Sequence, residues 1–313
     1  MELRSTSTAS HSSSSAPLSS EISSVESQSG DPLAQLADEV NQHPFTSRQG
    51  LQNSLKRRHQ QLRQDATRDQ YLVFTSVPPA VSSRLSDEQS RTSKYCRFSY
   101  NETTGILIAK VMMLSPAHEH ARSKFGHLVD SKLDAMNIDE VWSLGSATVR
   151  IGNWTKQADC CWAPSPTLAS LSFVVEVGLS ESTRRLALDA HGWLETSSSP
   201  VKVVVTITIK HENPEVILRR WEPVPRSDGV RTRSYTPLAH NTATIKLSRS
   251  SNTASVTGES DINGTTTTTT QLDLPFDKIV GRPPHHPLER DIVITEQELV
   301  GFAERIWRLQ GVV

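Results

Sequence analysis

The chain has 313 residues, 35% of them apolar and only 5% aromatic, which predicts one packed core with unpacked flanks rather than two full domains. A formal charge of -1 excludes a global basic field, so any contact with nucleic acid must come from local Lys/Arg patches. Cys96 and the adjacent Cys160 and Cys161 cannot all pair and predict a reducing, intracellular compartment, cytoplasmic or nuclear, while a polar start and the lack of any run near the roughly 20 apolar residues of a span predict no membrane.

Residues 1–92 read as a Ser-rich disordered tail, with too few large apolar side chains to offset ordering entropy. Within it, residues 32–40 suit a short helix and 48–68 a basic one carrying Leu51, Leu55 and Leu62. The cluster Lys56-Arg57-Arg58 on that helix reads as a solvated face, an import signal or a phosphate contact.

A core is expected over 93–225. Runs at 95–100 and 106–113 read as paired strands around the Glu102-Thr-Thr-Gly105 turn. Ser115 and Pro116 form a helix cap and first position ahead of Ala121, Phe125, Leu128, Val129 and Leu133 at helical spacing. Residues 146–151 are strand-like, and apolar runs follow at 157–163 and 171–179. Ser180 or Ser182 then caps a helix with the stripe Leu186, Ala190, Trp193 and Leu194. The β-branched run 201–209 predicts a strand covered on both faces, with 216–221 as its hairpin partner.

Residues 226–313 form a C-terminal extension in which 248–270, rich in Ser, Thr, Asn and Gly, reads as an unstructured insertion. A capped helix after Thr295 carries Leu299, Phe302, Ile306 and Trp307 and is expected to return to the core. The order predicts an α/β fold with a mixed central sheet flanked by helices.

Two residues stand out chemically. Glu176 lies inside the apolar run 171–179, where an unpaired charge costs several kcal/mol or neutralises, and Asp159 lies in the run before it. A cation between the two would explain both, and magnesium is commonly held by one or two carboxylates plus waters and phosphate. The competing interpretation is an exposed Asp at a strand start and a Glu paired with Arg184 or Arg185. His118 reads as a hydrogen-bonded packing histidine, Cys160-Cys161 lacks zinc-ligand spacing, and His285-His286 between prolines reads as a solvated loop.

Residues 98–222 also resemble a family of fungal proteins similar to the PD-(D/E)XK nuclease-like, or restriction-endonuclease-like, superfamily. The resemblance is carried by Ser99-Tyr-Asn with Thr104-Gly105, His118-Glu119, Leu144-Gly-Ser146, Lys156-Gln-Ala-Asp159 with Trp162, Val174-Val-Glu-Val-Gly178 with Ser180-Glu-Ser182, Leu186, Asp189-Ala190, Trp193-Leu194 and Val201-Lys-Val-Val-Val205. It implies a restriction-endonuclease-like core and Mg²⁺-dependent phosphodiester hydrolysis, with nucleic acid as the candidate partner. Asp159 matches the first acidic ligand, Glu176 the second, and Glu119 an acid that supplements the metal site in some members. Ala158 stands where the motif has proline, and Gly178 where it has the lysine that balances developing charge. Arg185 and Lys202 are the candidates to replace that lysine, although Arg185 and Asp189 at i,i+4 equally suit a surface ion pair. The alternative implied by Gly178 is a non-catalytic module that uses the fold to bind protein or nucleic acid.

Overall fold

A computed structural model describes residues 31–313 except 65–66, 68, 87–93, 113–114, 180–182, 211–212, 226–236, 251, 263 and 286. In chain order the elements are α1 (Pro32–Asp38), β1 (Gln42–Pro44), α2 (Arg48–Arg63), β2 (Tyr71–Thr75), α3 (Pro79–Ser86), β3 (Cys96–Asn101), β4 (Leu107–Val111) and α4 (Pro116–Ala135). There follow β5 (Trp142–Gly145), β6 (Thr148–Ile151), β7 (Trp154–Gln157), β8 (Cys160–Ala163), β9 (Phe173–Leu179), α5 (Thr183–Leu194), β10 (Val203–Ile209) and β11 (Glu215–Val224). The chain ends with β12 (Leu238–Ser250), β13 (Thr253–Ile262), β14 (Thr265–Thr268), β15 (Leu272–Leu274), α6 (Phe276–Val280), β16 (Ile292–Ile294) and α7 (Glu296–Gln310).

The strands form two mixed sheets and one small pair. The first sheet has the order β1-β2-β4-β3-β7-β6, and the second β14-β13-β12-β11-β10-β9-β8-β5. In the second sheet β9 and β10 run parallel, joined across α5, while β8 and β11 flank them antiparallel.

Side-chain alternation decides what each face of β9 and β10 meets. Phe173, Val175, Val177 and Leu179, with Val203, Val205, Ile207 and Ile209, join the core under α4 and α7, where Phe125 and Phe302 meet edge to face. Val174 and Val204 point the other way, into a core with Ala187, Ala190 and Trp193 of α5. Burial on both faces is why these strands read as unbroken apolar runs. Because Glu176 shares parity with Val174, it is delivered to the α5 side.

Local signals place the supporting helices. Ser115 accepts a hydrogen bond from the backbone N–H of His118 at the start of α4, with Pro116 in the first turn. Thr295 and Glu298 form a reciprocal capping box on α7. Between β3 and β4, Asn101 Oδ1 accepts from the amides of Thr103 and Thr104, and Gly105 closes the turn at φ 68°.

Two expectations are overturned. The described residues of 31–86 belong to the fold rather than to a tail: β2 lies between β1 and β4, and Leu51, Leu55 and Leu62 of α2 pack with Leu72, Phe74, Phe98 and Leu107. The helices expected at 32–40 and 48–68 form as α1 and α2, whereas β1 and β2 carry too little local signal and depend on this packing. Residues 248–270, expected to loop out, complete β12 and form β13 and β14. Threonine is β-branched and suits strands, and β12 supplies apolar partners such as Ile245 and Leu247, against which Val256 is buried. The Ser-rich stretch 1–30 and the predicted caps Ser180 and Ser182 lie outside the described residues. Among the described residues no helix is long and apolar enough to cross a membrane.

Candidate functional site

The chain crosses from the first sheet to the second at Ala158-Asp159, between β7 and β8. That corner sets Asp159 at the seam of the two sheets, where it is fully buried. Its Oδ2 accepts the backbone N–H of Val177 at 3.0 Å, which pins it beside β9. Glu176, 1% exposed, directs Oε1 to the indole N–H of Trp193 at 2.8 Å. An exposed Asp at a strand start and a Glu held by Arg184 or Arg185 are both excluded by this arrangement.

The cation joining the two carboxylates is Lys110, from β4 of the first sheet. Its Nζ lies 3.3 Å from Glu176 Oε2, 3.5 Å from Asp159 Oδ2 and 3.9 Å from Asp189 Oδ2. Arg97 of β3 approaches Asp159 Oδ1 at 3.4 Å, an oxygen that accepts no hydrogen bond. Lys156 of β7 binds Asp189 Oδ1 at 2.5 Å and stands 4.6 Å over the Trp193 ring. Three carboxylates thus face three cations, contributed by both sheets and α5.

Unequal surroundings drive the two acids apart. Burial pushes the Asp159 carboxyl up, but Lys110, His118, Arg97 and the Val177 N–H outweigh it and hold the group far below the usual carboxylate range. For Glu176, burial and the neighbouring Asp189 and Asp159 dominate over Lys110 and Lys156, and the carboxyl titrates well above its ordinary value. His118 is buried with Nε2 3.3 Å from the Val177 carbonyl and 4.0 Å from Asp159 Oδ2, and burial lowers its pKa despite Asp159.

The other candidates lie apart from this cluster. Glu119 pairs with Arg122 one turn along α4, and its side chain is 57% exposed. Arg185 binds Asp69 at 2.5 Å instead of Asp189, whose carboxylate is taken by Lys156 and Lys110. Lys202 is exposed at the approach to β10. The residues that complete the cluster are Lys110, Arg97, Lys156, Asp189 and Trp193. Lys110 carried a readable signal, being a lone charge inside Leu107-Ile-Ala-Lys-Val111, the same anomaly that marks Glu176.

A recess of about 260 Å³, counting its open mouth, borders the cluster, with interior room for about one water. Leu36 of α1 and Tyr71 of β2 line it beside Arg97, Lys110, Glu176 and Asp189. Among the described residues no three His, Cys, Asp or Glu side chains gather into a metal cage. Asp159 and Glu176 approach each other around the Lys110 ammonium, and Asp159 Oδ1 accepts no hydrogen bond. No family model, curated protein or solved structure matches this chain.

Proposed function

We propose that this chain is a Mg²⁺-dependent phosphodiester hydrolase of the PD-(D/E)XK, restriction-endonuclease-like type, in which Lys110 takes the place of the motif lysine absent at Gly178. One observation carries the reading: the Lys110 ammonium lies within 3.5 Å of both Asp159 and Glu176, although it comes from a strand of the other sheet. Helix α4, strands β8 and β9, helix α5 and strand β10 supply the core that such a site needs.

Asp159 and Glu176 would hold the cation, which when bound supplies positive charge at the scissile phosphate and a more acidic water. The chain's own groups prepare the rest. The Val177 amide and the Trp193 indole fix one oxygen of each carboxylate, so Asp159 Oδ1, beside Arg97, and Glu176 Oε2, which accepts from Lys110, would be the donors. The Lys110 ammonium donates to the oxygen of an incoming water or to a phosphate oxygen gaining charge, which Gly178 cannot do. Arg97 adds a fixed charge that cannot act as a base. Since Glu176 must lose its proton to bind metal, affinity rises with pH and one proton is released.

A second reading, a non-catalytic binding module on the same fold, is favoured by the one-to-one matching of Asp159, Glu176 and Asp189 with Lys110, Lys156 and Arg97, nearly sealed from solvent. Calorimetric Mg²⁺ titration with a parallel oligonucleotide-cleavage assay separates the two. The catalytic reading expects binding by the wild type, lost in Asp159→Ala and Glu176→Ala, and cleavage lost in Lys110→Ala. Wild-type protein that neither binds Mg²⁺ nor cleaves leaves the binding module.

A further inference from the structure

We infer that the exposed face of α2 is the docking surface for the phosphate backbone of a nucleic-acid strand, an inference that rests on the nuclease-like reading for its choice of polyanion. In a chain of net charge -1, the 16 residues of α2 contain Arg48, Lys56, Arg57, Arg58 and Arg63 and no acidic residue. Arg48, Lys56, Arg57 and Arg63 are exposed and make no ion pair among the described residues. A 16-residue helix is about 24 Å long, and Arg48, Lys56 and Arg63 fall within roughly 80° of one another around it, with Arg57 to one side, so this stripe spans several phosphates.

The uncharged positions narrow the partner. Leu51, Leu55 and Leu62 are buried against the first sheet, and the exposed remainder is amide-bearing, as at Gln49, Asn53 and Gln60. A protein partner calls for an apolar interface centre, and an anionic membrane for exposed aromatic or leucine side chains. Lysine, arginine and amide side chains without either are the set that contacts a sugar-phosphate backbone.

The face and the recess lie on opposite sides of the first sheet: Leu72, Phe74, Phe98 and Leu107 turn to α2, whereas Tyr71, Ile108 and Lys110 turn to the recess. Arg58 reaches from the helix to β2, donating to the Tyr71 carbonyl at 3.1 Å and pairing with Asp69, which Arg185 binds from the start of α5.

The test is fluorescence anisotropy in EDTA, with labelled single-stranded DNA, duplex DNA and RNA over a range of salt. The proteins are the wild type, Arg290→Gln as a charge-matched control away from α2, Arg57→Gln and the triple variant Lys56→Gln/Arg57→Gln/Arg63→Gln. Wild type and Arg290→Gln should bind alike. The triple variant should bind at least about tenfold more weakly, its log–log salt slope shallower by roughly 0.7–0.9 per cation removed, and Arg57→Gln should lose about one such increment. The inference is overturned if the triple variant binds as the wild type does, or if polyglutamate or phosphatidylserine vesicles are held as tightly as the oligonucleotides. Wild-type protein that binds in EDTA but never cleaves with Mg²⁺ ends the catalytic reading and leaves this one. Cleavage by the wild type alongside unchanged binding by the triple variant does the reverse.

Discussion

Replacing Lys110 with methionine removes the charge that joins the carboxylates while keeping an unbranched side chain of similar length. At 3.5 Å, an effective dielectric near 20 gives about 5 kcal/mol of attraction to the Asp159 carboxylate, and Glu176 at 3.3 Å adds a similar amount once it is ionised. Desolvating an ammonium that is 4% exposed opposes this by several kcal/mol. The expected net loss is about 3–5 kcal/mol at pH 8, the cost of breaking a buried pair from one side. The sign of its pH dependence follows from Glu176, whose folded-state pKa is already raised. Such a group binds more protons folded than unfolded, so stability falls as pH climbs from about 4.5 to the folded value. Losing Lys110 pushes that upper limit higher, and the deficit of the variant should therefore grow as pH rises past the folded-state value of Glu176. Urea unfolding followed by tryptophan fluorescence reads both numbers. Lys110→Met/Glu176→Gln, which keeps an oxygen for the Trp193 N–H, should recover at least half of the loss. A cost under about 1 kcal/mol at pH 8, or a cost that shrinks as pH rises, would refute the account of Lys110 as the charge that balances this cluster.

Trp193→Phe keeps the ring but strips the donor from Glu176 Oε1, and should cost about 1–3 kcal/mol in the same unfolding assay; a neutral result would mean the indole bond is dispensable. Mg²⁺ affinity should strengthen from pH 6 to pH 8, with a proton release visible as a difference in binding heat between two buffers, and a flat profile contradicts the titration assigned to Glu176. Glu119→Ala should leave that titration unchanged, because Arg122 holds the carboxylate at the surface; lost binding would return Glu119 to the site. In Gly192→Ala the new methyl would meet the buried Leu33 side chain at 2.5 Å, so that side chain must give way between α1 and α5 and overpacking should cost about 1–3 kcal/mol, with faster proteolysis within 31–40 as the check.

Much of the frame was readable from short stretches. The Ser115-Pro116 cap, the Thr295–Glu298 box and the two apolar runs around α5 each depend on residues within one or two turns, or on alternation along one strand. Glu176 announced itself as a charge in an apolar run, and Asp159 is brought to it by the corner between β7 and β8. Within 31–86 the helices α1 and α2 were legible, whereas β1, β2 and the strands of 248–270 were not, because a strand of modest composition depends on what its neighbours offer. The serines and threonines of β13 are held by β12, and those of β14 by β13 in turn, rather than by any apolar run of their own.

The choice of cation lay beyond any local signal. Arg185 and Lys202 are near Glu176 along the chain, yet the charge that reaches it is Lys110, 66 positions earlier and in a different sheet. Sequence alone determined the helix caps, the buried parallel strands and the presence of a carboxylate that needed a partner, since these depend on propensity, periodicity and desolvation within a few residues. Tertiary structure alone decided which lysine answers it, because a buried ion pair depends on distance through space, and that distance is set by how two sheets meet at Ala158-Asp159.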